Sequence, residues 1–141
     1  MANKFGSQVR AFAEKAKGMQ LAVFRESSQR LMEEANTPEG MGGRMPVATG
    51  FLRNSVAASL EGMPTGGVTD PPLVFASMDL GQTVWAGWTA KYAMRMEHGF
   101  YGEDSKGRTK AQAGKGFARA AAQRWDFIVA EVTAEIRSRM R

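Results

Sequence analysis

The chain reads as an α+β fold: a small antiparallel β-sheet of three to four strands bracketed by long N- and C-terminal α-helices. Three observations predict it. Apolar residues recur every three or four positions over about residues 3–35, and again over about residues 116–140. Between those regions, short stretches alternate apolar and polar side chains, as half-buried strands do. Helical patterns at both ends of a chain, with strand patterns grouped between them, belong to α+β architectures. A length of 141 residues fits one domain with a core of its own.

The first helix is carried by Phe5, Val9, Phe12, Ala16, Met19 and Val23, spaced alternately four and three apart. The stripe then drifts to Phe24, Leu31 and Ala35, and no proline interrupts it. Such a helix is roughly 45–50 Å long. A single small domain rarely covers that much apolar face, so part of the stripe is expected to pack on another subunit.

Residues 36–48 are expected to be a flexible connection, because Asn36-Thr37-Pro38-Glu39-Gly40-Met41-Gly42-Gly43 is rich in turn formers. A sheet region over 49–90 follows. Thr49 is placed to cap a short helical turn. Val56, Ala58 and Leu60 then share one face of a strand. Gly62-Met63-Pro64-Thr65-Gly66-Gly67 reads as a turn, and Thr69-Asp70-Pro71-Pro72 as a second break. Two more strands are expected, one over 73–80 with Val74, Ala76, Met78 and Leu80 on a face, the other over 83–89 with Val84, Ala86 and Trp88 on a face. Gly81-Gln82 separates them at hairpin length, which predicts an antiparallel meander.

A short helix is expected over 90–98, ending at Gly99. Residues 100–115 are polar and glycine-rich and read as a long mobile loop. The last helix, about 116–140, has Phe117, Ala121, Trp125, Ile128, Val132 and Ile136 as its stripe, with Glu135 and Arg139 at i, i+4 spacing.

Composition narrows the function classes. Apolar residues at 43% and charged residues at 23% argue against a disordered chain. The absence of cysteine excludes a disulfide scaffold and any thiolate metal site, and fits folding in a reducing cytoplasm. Residues 1–7 lack the apolar core of a signal peptide, and no apolar run reaches the ~18–20 residues of a membrane span, so no membrane partner is expected. The net charge of +5 admits a nucleic acid or an acidic protein as partner. Much of the surplus lies at Lys106, Arg108, Lys110 and Lys115, and at Arg137, Arg139 and Arg141.

Catalytic signals are weak. The sole histidine, His98, follows Glu97 and precedes a helix-ending glycine, and no G-x-S-x-G elbow supplies a nucleophile. Glu103-Asp104 has no acidic neighbours at calcium-loop spacing. Glu33 and Glu34 are adjacent on a helix and diverge. Gly40-Met41-Gly42-Gly43-Arg44 lacks the Lys-Ser/Thr of a phosphate loop. Neither an enzyme, a cofactor nor a metal is expected. Trp85, Trp88, Phe75 and Trp125 sit where core packing explains them better than base stacking does.

Three segments, in order, carry a resemblance. Thr49-Gly50-Phe51-Leu52-Arg53-Asn54-Ser55 is a T-G-x-L-R-x-S pattern leading into a strand. Tyr92-Ala93-Met94-Arg95-Met96-Glu97-His98-Gly99 contains tyrosine, glutamate and glycine in a Y-A-x-x-x-E-x-G arrangement. Gly116-Phe117-Ala118-Arg119-Ala120-Ala121 opens the last helix. Together they resemble the tail-component family of long-tailed bacteriophages and prophages, also called tail-completion or head–tail joining proteins. Where that family often has a proline, this chain has Gly114-Lys115-Gly116.

The resemblance implies a structural virion protein that folds in the host cytoplasm and acts in the tail or neck. It implies a homo-oligomeric ring, commonly of six copies, contacting other phage neck and tail proteins. It brings no catalytic residue. Thr49, Gly50, Phe51, Leu52, Arg53, Tyr92, Glu97, Gly99 and Phe117 are expected to serve folding and subunit contact, with Arg53 placed to pair with an acid on a neighbour. Lys106, Arg108, Lys110 and Lys115 are expected to meet an acidic partner or, transiently, packaged DNA. A basic DNA-binding protein of phage or prophage origin is the alternative reading.

Overall fold

The computed structural model describes residues 4–65, 70–103 and 105–140. The expected turn at Gly66-Gly67, the break at Thr69, the carboxylate of Asp104 and the charge of Arg141 lie outside them. The fold is α+β. Among the described residues there are six α-helices and four short strands, and the longest helices stand at the two ends.

Helix α1 (Lys4–Ala35) runs 32 residues without a break, about 48 Å at the usual rise. At the other end, α5 (Phe117–Gln123) and α6 (Trp125–Arg139) replace the single helix expected from the sequence. They are separated at Arg124, whose N–H bonds the carbonyl of Ala121, three residues back, in a tightened turn. Its guanidinium is held aside by Glu34 on α1 (2.9 and 3.3 Å) and lies 4.7 Å over the Phe127 ring.

Helix α6 lies antiparallel along the C-terminal half of α1. Ile128, Val132 and Ile136 are buried against Met19, Ala22, Val23 and Leu31. That apolar seam is flanked by charge: Arg30 reaches Glu135, Glu26 and Glu131, and Arg139 reaches Glu26 and Glu135. The stripe of α1 that enters this seam continues N-terminally past α6. There Phe5 (72%), Val9 (50%) and Phe12 (75%) are largely exposed.

The four strands form two separate antiparallel pairs rather than one meander. Strand β1 (Val56–Ser59) pairs with β2 (Trp85–Trp88), Val56 opposite Trp88 and Ser59 opposite Trp85. The expected strand over 73–80 is instead helix α3 (Pro71–Ser77). Two prolines at its start have φ preset for a first helical turn. The residues that become buried are Phe75 and Met78, three apart, while Ala76 and Leu80 face solvent. The alternation at 74, 76, 78 and 80 therefore marks no strand face: Phe75 is the buried residue of the helix, and Met78 is buried in extended backbone just past its end.

The expected mobile loop is also corrected. After α4 (Ala93–His98), strand β3 (Gly99–Glu103) and strand β4 (Thr109–Ala113) form a hairpin, with Tyr101 opposite Ala111 and Gly102 opposite Lys110. Residues 36–48 are likewise more ordered than their composition predicts. They hold a 3-10 turn at Glu39–Met41 and a bridge between Pro38 and Met45, and Met45 is fully buried. A short helix, α2 (Phe51–Asn54), precedes β1.

Candidate functional site

The three motif segments, spread over some seventy positions, meet at one small core. Met45, Leu52, Ala90 and Phe117 are buried together, with Trp88, Ala93, Met96 and Ala118 packed around them. The Phe117 ring meets Trp88 edge-on, with centroids 4.8 Å apart at 82°, a favourable aromatic geometry. Each segment thus contributes to the cluster: Leu52 from the first, Ala93 and Met96 from the second, Phe117 and Ala118 from the third.

The first segment is a turn built around Thr49 and Gly50. The Thr49 hydroxyl accepts a hydrogen bond from the Phe51 N–H at 3.3 Å, and Gly50 takes φ 82°. This conformation opens α2 and drives Leu52 inward while leaving Phe51 at the surface. Phe51 stacks on Tyr92 (6.1 Å, 30°), so two motif segments also share an aromatic pair on the outside.

Arg53 is exposed and is tied to the end of α1 through its Nε and its carbonyl. Its Nε donates to the Asn36 carbonyl at 3.2 Å, and its own carbonyl accepts from Asn36 Nδ2 at 3.0 Å. Asn36 Oδ1 in turn accepts from the Trp88 indole at 2.9 Å. Asn36 thereby joins the end of α1, α2 and β2, a role its turn-rich surroundings concealed. Met45 was missed for the same reason.

Glu97 has a defined job. Its carboxylate accepts from the Ala118 N–H and the Arg119 N–H, both at 2.9 Å. These are first-turn amides of α5, which lack partners inside the helix. The main chain repeats the link: Lys115 N–H donates to the Met96 carbonyl (2.7 Å) and Gly116 N–H to the Glu97 carbonyl (3.1 Å). Such a carboxylate cap favours the helix start both by hydrogen bonding and by charge. His98 next to it is exposed. Both carboxylate oxygens are engaged in this cap.

Gly99 sits where these links converge. It has φ 89°, and a Cβ there would stand 2.7 Å from the Gln112 carbonyl oxygen and the Gly114 nitrogen. A side chain would therefore meet both backbone strain and a steric clash.

The basic candidates divide. Lys106 and Arg108 lie in the β3–β4 connection and Lys110 in β4, all exposed. Lys115 is apart from them, its ammonium 3.0 Å from Glu39. Phe75 is buried and Trp88 belongs to the motif core, while Trp85 and Trp125 are half-buried. No group of three or more potential metal ligands occurs among the described residues, and no described helix is long and apolar enough to cross a membrane.

Comparison with known proteins returned no match to any family model, curated protein or solved structure. The arrangement has a core whose inner residues fix a scaffold, and an outer face with Phe51–Tyr92 and the β3–β4 hairpin.

Proposed function

We propose that the chain is a structural subunit of a long-tailed bacteriophage, forming a ring at the head-proximal end of the tail. One observation carries this reading beyond the sequence resemblance. The three segments that resemble the tail-component family converge on a single core and on a shared cap, with Leu52, Glu97 and Phe117 each making a contact that depends on another segment. Residues chosen for local reasons alone would have no cause to do so.

A ring requires each copy to offer one surface to the next in a closing head-to-tail contact. The exposed N-terminal stripe of α1 and the Phe51–Tyr92 pair are among the exposed apolar surfaces that could supply it. The decisive experiment is mass measurement of the purified protein added to isolated tail tubes, together with its detection in purified particles. A defined multimer, about six copies per tube end, supports the reading. Absence from particles and failure to bind tubes overturn it.

The β3–β4 hairpin keeps a second reading alive, that of a basic DNA-binding protein, because Lys106, Arg108 and Lys110 are presented together on one exposed ribbon. That reading requires duplex binding that weakens steeply with salt.

A further inference from the structure

We propose that free copies of this chain pair two-fold through the protruding end of α1, lying antiparallel so that residue i stands opposite residue 21 − i of the second copy. The occupant of the exposed stripe is thus another copy of the same segment, and the proposal does not depend on the phage reading.

The stripe is built for this mate. Phe5, Val9, Phe12 and Ala16 are spaced four, three and four apart, the pattern of a two-helix seam. In the stated register Phe5 faces Ala16 of the second copy and Val9 faces Phe12. Every layer then combines a large side chain with a smaller one, as close packing demands. Shifted registers that place Phe12 opposite Phe12 or Phe5 opposite Phe5 lose that complementarity.

The flanks agree. Along one border of the stripe lie Gly6 and Ala13, which let two backbones approach closely. Along the other lie Gln8 and Lys15, which meet each other across the pair, so no like charges meet at the seam. Glu14, Arg10 and Lys17 point away from it at helical spacing.

The length agrees as well. Met19 is the first stripe residue packed on α6. In the proposed register Lys4 is level with Lys17 of the second copy, both off the seam, so the described residues that overlap all precede Met19 in each copy. The new seam continues the stripe whose Met19 and Val23 already pack against the Ile128, Val132 and Ile136 cluster.

Only four apolar side chains per copy enter the seam, against roughly 20–30 residues a side in a standard stable interface. The pair is therefore reversible: dimer at about 0.5 mM, monomer at about 5 µM. In a ring the same surface turns to other neighbours, and pairing keeps it covered beforehand.

The chain has no cysteine, so single thiols report register directly. Mixing Phe5→Cys with Ala16→Cys under mild oxidation gives a mixed disulfide. Phe5→Cys alone gives none, since its two thiols are offset by eleven residues, about 16 Å along the axis. Phe12→Asp sediments as a monomer at every concentration while keeping its helix content, because Phe12 is exposed and belongs to neither core. A wild-type chain that stays monomeric at about 0.5 mM, or a Phe5→Cys homodimer as the main product, overturns the pairing. A ring that forms on tail tubes despite Phe12→Asp leaves the ring reading standing and removes the stripe from it.

Discussion

Arg30 on α1 faces Glu135 on α6, and guanidinium and carboxylate are joined by two hydrogen bonds of 2.9 and 3.2 Å. The bond from Arg30 holds the Glu135 carboxyl below the usual carboxylate range, against desolvation and with further help from the charges of Arg30 and Arg139. A carboxyl lowered in the folded state stabilises the fold above its unfolded value of roughly 4.3. That contribution is lost as pH falls through the lower folded value. Both groups are partly exposed, so the effect is modest. Denaturant midpoints of wild type and Glu135→Gln should differ at neutral pH and converge at acid pH. A gap that is constant with pH would falsify the linkage.

The cap on α5 gives a second expectation. Glu97→Ala leaves the Ala118 and Arg119 amides without their acceptor and should cost about 0.5–2 kcal/mol. His98→Ala, one position on and exposed, should stay within about 0.5 kcal/mol of wild type. Urea unfolding separates the two. Equal losses would mean that the cap is not what Glu97 provides.

Phe117→Ala removes the ring that Trp88 meets edge-on and should destabilise by about 3–5 kcal/mol. Phe51→Ala, at an exposed position, should cost far less while altering assembly if the Phe51–Tyr92 pair is a contact surface. Thermal melts and particle yield from a complemented phage read the two effects apart.

Gly18 lies inside α1 with nothing within 4 Å of where a Cβ would stand. Gly18→Ala should therefore stabilise the chain by about 0.5–1 kcal/mol, since a mid-helix glycine costs roughly that much. Its position on the side of the helix away from Phe12 leaves the apolar stripe unchanged. A neutral or destabilising result would show that the helix is interrupted there.

The hairpin cluster is tested by changing Lys106, Arg108 and Lys110 together to Ser. Stability should hold, because all three are exposed. Particle assembly, or DNA affinity with a salt slope reduced by about the number of lost phosphate contacts, should fall. Intact assembly and unchanged DNA affinity together would remove this ribbon from function.

The long helices were legible because their periodicity runs for many turns, and β1 and β2 because both are short alternating runs bounded by breakers. Helix α3 was not, because seven residues are too few for periodicity to separate a helix from a strand, and the Pro71-Pro72 pair was read as a break rather than as a helix start. The β3–β4 hairpin was hidden by its glycines and lysines, since a two-stranded ribbon with little buried area needs no apolar pattern. In the candidate site, Gly50 and Phe117 could be placed from local chemistry. Glu97 could be named but its partners could not, because they lie twenty-one and twenty-two positions away. Asn36 carried no signal at all, for its role exists only once Arg53 and Trp88 stand beside it.

Helix α6 runs back along α1, so Ile136 lies at the end of the seam toward Glu26 and Ile128 at the end toward Glu34. A load applied between the N-terminal end of α1 and the C-terminus therefore acts across the contact at one edge, not along its whole length. The layers give way in succession, starting at Ile136, like a strip of tape lifted from a corner. Pulled in this direction the chain yields at low force, whereas tension between Arg124 and the start of α1 would have to slide every layer at once.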